Sequence, residues 1–165
     1  MKKAFITYIR PSLGFNSNLW HPTKKYLIDK LDSIQRRFTK RVPSISHLSY
    51  LERLRALDLE PLELRRLKFD LIQYYEVLNN LSCIDTSSYF QLHYPPLSSR
   101  NPAPFLKKSS NFNKCLQSTF FFRYLDCWNA LPANVQQSSS LTSFKRQIKL
   151  IDFSKYLKGS ATDVN

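Results

Sequence analysis

The residues of this chain most able to do chemistry are cations. The stretch QRRFTKR, residues 35–41, holds four cations and no acidic residue. The four are Arg36, Arg37, Lys40 and Arg41. Guanidinium and ammonium groups neutralise phosphates and release the counterions of a nucleic acid. A solvated helix face is the alternative and the commoner outcome for a charged stretch. The absence of acids here favours binding.

Further cations extend the predicted surface. Those of ELRRLKFD, residues 63–70, are a weaker signal, because Glu63 and Asp70 can form ion pairs with neighbouring cations of the same helix. The complete set of predicted nucleic-acid-binding residues is Lys30, Arg36, Arg37, Lys40, Arg41, Arg65, Arg66, Lys145 and Arg146.

Groups that would support catalysis lack the required spacing. None of His21, His47 and His93 has a carboxylate or a cysteine at ligand spacing, and the two glycines of the chain form no phosphate loop. No adjacent acidic pair could hold two Mg²⁺ ions. We therefore expect no catalytic residue, no metal site, no cofactor and no enzyme activity from this chain alone.

The net charge points to a polyanionic partner. The chain has 25 Lys and Arg against 12 Asp and Glu, a net charge of +13, and both halves of the chain share the excess. Nucleic acid is the commonest partner for such a chain, ahead of an anionic membrane surface. No stretch approaches the roughly 18 apolar residues of a membrane span, so we expect no membrane.

The cysteines bear on the compartment. Cys83, Cys115 and Cys127 are odd in number and widely spaced, a pattern of neither a disulfide framework nor a zinc site. We interpret them as reduced, buried or half-buried residues of an intracellular protein, nuclear or cytoplasmic. The N-terminal apolar run is interrupted by Arg10 and Pro11 before it could serve as a signal peptide.

Helical periodicity positions the basic cluster. An apolar residue recurs every three or four positions from residue 27 to residue 42, which predicts an amphipathic helix closed by Pro43. The apolar stripe consists of Leu27, Leu31, Ile34, Phe38 and Val42. Lys30 and the cations of residues 36–41 fall largely off this stripe, so the sequence predicts a basic outer face.

Two more helices follow, and a short one could precede. Ser49 and Glu52 predict a capping box for a helix that ends near Leu57. The next helix begins at about Pro61, with a predicted buried face of Leu64, Leu67, Leu71, Tyr74, Tyr75 and Leu78. Residues 4–20 are compatible with either a short helix that ends before Pro11 or a strand.

The second half alternates between irregular and helical patterns. Prolines among serines and asparagines over residues 82–113 predict a long connection or extended arm without helix or central strand. Helix returns from about Ser118 to Pro132, where we expect the aromatic side chains to form core more often than to stack on bases. A last helix, capped by Ser140 or Thr142, has Phe144, Ile148 and Ile151 on its inner face.

The predicted fold class is therefore mainly α: a small helical bundle followed by a proline-rich connection and two further helices.

Several of these motifs occur together in a known family. The segments are TYIRPSLGFNSNLWHP, LDSIQRRFTKRV, LSYLERLRALDLEPLELRRLKFDLIQYYEVLNN, FFFRYLDCWNALPANV and SFKRQI. In this order and spacing, over roughly residues 4–150, they resemble the C-terminal part of reverse transcriptases of Jockey-like, non-LTR (LINE-type) retrotransposons. Gly14 and Phe15 depart from that pattern, since the family often has an acidic residue and a tyrosine there.

The resemblance implies a domain organisation and a set of partners. It makes residues 1–22 the end of the polymerase core, 23–81 a thumb-like bundle, 82–117 a connection, 118–158 a C-terminal helical cassette and 159–165 a frayed tail. The Phe/Tyr-x-Asp-Asp motif of the palm is absent from the sequence, so we expect a non-catalytic fragment. The expected partners are RNA, DNA or an RNA–DNA duplex, and also the missing palm or a second copy of the chain. The alternative is a helical protein-interaction or structural module with a solvated basic face.

Overall fold

The computed structural model describes residues 2–83, 90–93, 105–108 and 119–159. Helices dominate these residues, so the predicted mainly α class is confirmed. Residues 2–67 and 153–159 form one compact unit, and the described residues from 68 to 152 form a second. Each unit has buried apolar side chains of its own.

The first unit is built from helices. They are α1 (Lys2–Ala4, continuing as a π-helical turn over Phe5–Ile9), α2 (Ser17–Trp20), α3 (Lys25–Lys40), α4 (Tyr50–Ala56) and the first turns of α5 (Leu62–Leu78). A 3₁₀ turn over Pro43–Ile45 follows α3, in agreement with the prediction that Pro43 closes that helix.

The N-terminal segment is a helix, which decides between the two conformations that the sequence left open. The backbone amide of Arg10 donates to the Phe5 carbonyl at 2.8 Å, the five-residue bond of a π-helix. Pro11 follows and has no N–H with which to extend the ladder. The Phe5 ring stacks on the Phe38 ring of α3, with centroids 3.9 Å apart, and so holds α1 against α3.

The buried face of α3 is not the predicted apolar stripe. The fully buried residues of this helix are Ile28, Asp32, Gln35 and Thr39. The stripe that includes Leu27, Leu31 and Phe38 is only half-buried, Ile34 is 39% exposed, and Val42 lies beyond the helix end. The two stripes are one residue apart, a rotation of about 100°. The inward face is polar because polar groups of α4 and α5 meet it there.

The capping box of α4 is present as predicted. The Ser49 backbone amide donates to Glu52 Oε2 at 2.8 Å, and the Glu52 amide donates to Ser49 Oγ at 3.4 Å. The helix ends at Ala56, with Leu57 as its C-cap. These reciprocal bonds satisfy amides that a helix N-terminus leaves open, and they lower the pKa of the Glu52 carboxyl.

Glu63, in the first turn of α5, is buried and holds the returning C-terminal segment. Its two carboxylate oxygens accept from the backbone amides of Lys158 and Gly159, each at 2.8 Å. A Cβ at Gly159 would lie 2.8 Å from Ile28 Cγ2, so this approach requires glycine. Gly159 is therefore buried and fixed, although the sequence assigned it to the tail; residues 160–165 lie outside the described residues.

The second unit combines the rest of α5 with short elements. These are β1 (Phe90–His93), β2 (Phe105–Lys108), α6 (Phe120–Arg123), α7 (Leu125–Asn129), α8 (Ala133–Gln136) and α9 (Leu141–Gln147). The single helix predicted from Ser118 to Pro132 is divided at Tyr124, whose φ and ψ of −123° and 26° are not helical. Ser140 Oγ caps α9 by accepting from the Ser143 amide at 3.2 Å, and Ile151 lies beyond the end of that helix.

The proline-rich segment contains two paired strands, where the sequence predicted a long connection or an extended arm without helix or central strand. Strands β1 and β2 pair antiparallel, with Phe90 opposite Lys108 and His93 opposite Phe105. Asn129 of α7 supports β2, because its side chain donates to the Leu106 carbonyl and accepts from the Leu106 amide, both at 2.9 Å. The remainder of the predicted connection, residues 84–89, 94–104 and 109–117, lies outside the described residues.

The core of the second unit is aromatic, as predicted from its helical spacing. The Tyr74 ring lies 5.0 Å from the Phe120 ring and 5.7 Å from the Trp128 ring, and Tyr75 stacks on Phe144 at 4.6 Å. The tyrosine hydroxyls are also satisfied: Tyr74 donates to the Phe120 carbonyl at 3.0 Å and Tyr75 to the Ser138 carbonyl at 2.6 Å. Each ring therefore combines apolar packing with a satisfied polar end.

The two described cysteines differ in exposure. Cys127 is buried and free, whereas Cys83 is free but exposed, contrary to the expectation that it is at least half-buried. Cys115 lies outside the described residues. Over the described ranges, no helix has the length and apolar content that crossing a membrane requires.

Candidate functional site

The cations of α3 meet a cation of α4 at a shallow cleft in the first unit. The cleft, with a volume of about 370 Å³, is lined by Arg36, Arg37, Lys40, Arg41 and Arg53, and we call it the basic cleft. Three of these side chains, Arg37, Lys40 and Arg41, are exposed. The four cations predicted from QRRFTKR therefore lie on one surface, three of them on α3 and Arg41 directly after its last residue.

Tyr50 holds the two inner arginines of the basic cleft. The guanidinium carbon of Arg36 lies 4.7 Å from the centroid of the Tyr50 ring, and that of Arg53 lies 5.8 Å from it. Arg53 also donates through Nε to Thr39 Oγ1 at 3.1 Å and through Nη1 to the Leu48 carbonyl. Cation–π contact and hydrogen bonds thus fix the planes of these guanidinium groups before any ligand arrives.

The basic cleft is not neutralised from within. None of its five cations forms an ion pair with a carboxylate in the part of the chain that the structure describes. Lys40 Nζ donates to the Ser46 carbonyl at 2.9 Å, which satisfies one of its protons and leaves its charge uncompensated. Cations gathered without counter-charges create a local positive potential that attracts anions.

Asp32 of α3 is a buried carboxyl group close enough to Arg36 of the basic cleft for their charges to interact. Burial raises the pKa of Asp32 to about 6, against the opposing influence of the Arg66 guanidinium, while the Glu63 carboxylate raises it further. Arg36 also favours the charged form of Asp32, so this carboxyl acts electrostatically on one wall of the cleft. Asp32 is fully buried, so it does not compete with a ligand for the exposed cations.

The side chain of Gln35 holds Tyr50 in place from the interior. Its side-chain amide donates to the Tyr50 hydroxyl at 3.3 Å and to the Glu60 carbonyl at 3.0 Å. Burial and the nearby Asp32 carboxylate raise the pKa of Tyr50, so its hydroxyl stays protonated. The ring that carries Arg36 and Arg53 is therefore held at both its face and its hydroxyl.

The other predicted binding residues do not line the basic cleft. Lys30 is exposed elsewhere on α3. Arg65 is half-buried near Arg10, and the pKa of the Arg10 guanidinium is lowered first by its own burial and then by the charge of Arg65. Arg66 is fully buried and faces the interior, so its side chain is not at the surface. Lys145 and Arg146 are exposed on α9, in the second unit.

Sequence reasoning missed Arg53 and Tyr50 as parts of the site. Arg53 is itself buried, so it lies on the inner side of α4, where a cation needs a partner. The burial of Arg53 and the contact of Tyr50 with two arginines both depend on the packing of α4 against α3, which sequence spacing does not show.

The described residues do not meet the requirements of a metal site. Within residues 2–83, 90–93, 105–108 and 119–159, no three His, Cys, Asp or Glu side chains come together as a metal site. His47 and His93 are exposed, and His21, which follows α2 as its C-cap, is buried.

Comparison with known proteins gave no relative: no protein-family model, curated protein or solved structure matches the chain.

Proposed function

We propose that this protein binds nucleic acid without catalysing a reaction, and that the basic cleft holds the sugar–phosphate backbone. The observation that carries the proposal is the convergence of five cations with no carboxylate partner among the described residues. A polyanion with evenly spaced charges is the ligand that such a cleft fits, because each phosphate can accept from a guanidinium or an ammonium group.

Rigidity supports the same function. Arg36 and Arg53 are oriented by Tyr50 and Thr39, while Arg37, Lys40 and Arg41 are exposed. Such an arrangement combines fixed guanidinium forks with adaptable outer cations, which suits contacts to the backbone rather than to base edges. We expect binding that depends strongly on salt and weakly on sequence.

The resemblance to the C-terminal region of non-LTR retrotransposon reverse transcriptases is compatible with this role and remains a proposal. In that reading the basic cleft belongs to a thumb-like bundle that grips a primer–template duplex, and the palm residues that perform synthesis lie outside this chain. The RNA–DNA duplex is therefore the first ligand to test.

The test is the affinity for a fluorescein-labelled RNA–DNA duplex, measured by fluorescence anisotropy. We expect the triple variant Arg37→Gln, Lys40→Gln, Arg41→Gln to bind at least about tenfold more weakly at about 0.1 M salt, since three phosphate contacts are lost. These side chains are exposed, so the variant should fold.

The matched control removes the same charge from elsewhere. Lys24, Lys149 and Lys158 are exposed and do not line the basic cleft. Their triple replacement by Gln should change affinity far less than the cleft variant. Equal losses in the two variants would show that net charge, and not the basic cleft, is responsible.

A protein-binding role is the second candidate, and exposed apolar side chains in the first unit favour it. Leu19 of α2 is 84% exposed, and Phe15, two residues before α2, is 72% exposed. Apolar surface of this kind is common at protein interfaces. Sedimentation analysis at several protein concentrations tests self-association, and Leu19→Ser should abolish any dimer that uses this surface.

A further inference from the structure

A second cleft adjoins the basic cleft and has the opposite character. It has a volume of about 520 Å³ and is lined by Ala4, Phe5, Tyr8, Ile9, Ile34, Arg37, Phe38 and Arg41; we call it the apolar cleft. Its floor is the stacked pair of Phe5 and Phe38, and its rim is the π-helical turn that carries Tyr8 and Ile9. Departures from the α-helix of this kind are frequent at functional sites.

Two arginines belong to both clefts. Arg37 lies in the last turn of α3 and Arg41 is the C-cap of that helix, and each lines the apolar cleft and the basic cleft. An occupant of the apolar cleft therefore has a cationic wall beside it. The ligand that fits must join an apolar group to an anion over a short distance.

The apolar cleft offers a stacking surface. Tyr8 is 75% exposed, Ile9 is 47% exposed and Ile34 is 39% exposed, so these side chains remain available to a ligand. An exposed tyrosine ring presents its face to any flat aromatic group, and base–aromatic stacking tolerates every base because each has a π-face.

From this juxtaposition we propose that the preferred ligand is single-stranded RNA or DNA, with one unstacked base in the apolar cleft against Tyr8 and its phosphates in the basic cleft. This inference rests on the proposed function. A positively charged groove flanked by an aromatic platform is the general arrangement for single strands, whereas the bases of a duplex are stacked and paired and cannot enter without opening.

An acidic amphipathic peptide is the competing occupant, and charge density argues against it. A polynucleotide carries a charge on every backbone phosphate, so one strand can face all five cations while its uncharged bases present flat π-faces for stacking. A peptide must alternate its carboxylates with the apolar residues that would fill the apolar cleft. The single strand therefore matches both clefts at once.

The test compares a single-stranded 12-mer, the same strand with abasic residues, and a blunt duplex, all by fluorescence anisotropy at one salt concentration. We expect the full strand to bind roughly tenfold more tightly than the abasic strand, because base stacking is lost. Tyr8→Ala should weaken binding of the full strand about as much, and should leave binding of the abasic strand and the duplex unchanged.

A matched control and a direct probe make the outcome specific. Tyr26→Ala removes another exposed tyrosine of the same unit that lines neither cleft, and should have no effect. A strand with 5-iodouridine should crosslink to the peptide that contains Tyr8, as identified by mass spectrometry.

The results separate this inference from the proposed function. Equal affinity for full and abasic strands, with no effect of Tyr8→Ala, would overturn the inference, while the loss caused by the Arg37, Lys40 and Arg41 substitutions would still support the proposed function. An acidic amphipathic peptide that displaces the strand, and that binds more weakly to Tyr8→Ala than to the wild type, would also overturn the inference in favour of a protein ligand.

Discussion

The two units bury interiors of different chemistry. In the first unit the buried side chains include ionisable and hydrogen-bonding groups: Asp32, Gln35, Thr39, Arg53, Glu63 and Arg66. In the second unit aromatic rings pack on one another around Tyr74 and Tyr75, accompanied by an ion pair in which Arg123 Nε lies 3.2 Å from Asp70 Oδ2. One interior depends on directional contacts and the other mainly on apolar contact.

The polar interior of the first unit orients side chains of the basic cleft. Polar contacts fix orientation, because a hydrogen bond has a preferred angle that an apolar contact lacks. In the first unit these contacts reach the surface: Thr39 accepts from Arg53, and Gln35 bonds the tyrosine on which Arg36 and Arg53 lie. The polar interior thus positions the basic cleft, at a cost in desolvation that an aromatic core avoids.

The largest expected effect is on the aromatic core. Phe144 is fully buried and stacks on Tyr75, so Phe144→Ala should lower the free energy of unfolding by about 3–5 kcal/mol through lost burial and a cavity. Urea denaturation followed by circular dichroism measures it. Leu150→Ala, at a side chain 85% exposed, is the control and should change stability little. A similar small loss for both variants would mean that the aromatic core is not what stabilises this unit.

A smaller effect, dependent on pH, is expected in the polar interior. Burial raises the folded-state pKa of Asp32 to about 6 from an ordinary value of 3.8. The folded state therefore binds the proton more tightly, and the stability that this provides is present below about pH 4 and is lost as the pH rises to about 6. Asp32→Asn has no such titration, so its stability relative to the wild type should rise by about 2 kcal/mol between about pH 4.5 and about pH 7.5.

The measurement is a pair of denaturant titrations, one at each pH, on both proteins. Other titrating groups are common to the two and cancel in the difference. A stability difference between wild type and Asp32→Asn that stays constant with pH would mean that Asp32 ionises as an ordinary surface carboxyl.

The smallest effect is expected at the surface of the first unit. Ser49→Ala removes the hydroxyl that accepts from the Glu52 amide, and should lower the free energy of unfolding by about 1 kcal/mol. The pKa of Glu52 should also rise toward its ordinary value, since its largest lowering influence is the hydrogen bond with Ser49. NMR titration of the Glu52 side chain measures this shift, and an unchanged pKa would contradict the capping geometry.

Local signals in the sequence were sufficient for much of the first unit. Sequence spacing encodes contacts within a few residues, and several features depend on such contacts alone. They are the positions of α3, α4 and α5, the capping box of Ser49 and Glu52, and the end of α3 before Pro43. The buried face of α3 was missed because Asp32, Gln35 and Thr39 are buried by partners distant in sequence, and apolar periodicity carries no information about those partners.

In the second unit, too, local spacing predicted core residues but not contacts between residues distant in sequence. Helical spacing predicted that the aromatic side chains of this stretch form core, and Phe120, Phe122, Tyr124 and Trp128 are buried. The hairpin was missed because β2 depends on Asn129, which is 23 positions away from Leu106, and because prolines around short strands suppress the strand signal. The basic cleft was anticipated from α3 alone, and its fifth cation, Arg53, required the packing of α4.

The most direct test of the central claim is the salt dependence of binding. For the wild type and the Arg37→Gln, Lys40→Gln, Arg41→Gln variant, the logarithm of the association constant for the same oligonucleotide is plotted against the logarithm of salt concentration. The basic cleft predicts a variant slope shallower by about 2 to 3, because each lost phosphate contact removes about 0.7 to 0.9 of slope. Parallel lines for the two proteins would contradict the claim that this cleft holds the phosphate backbone.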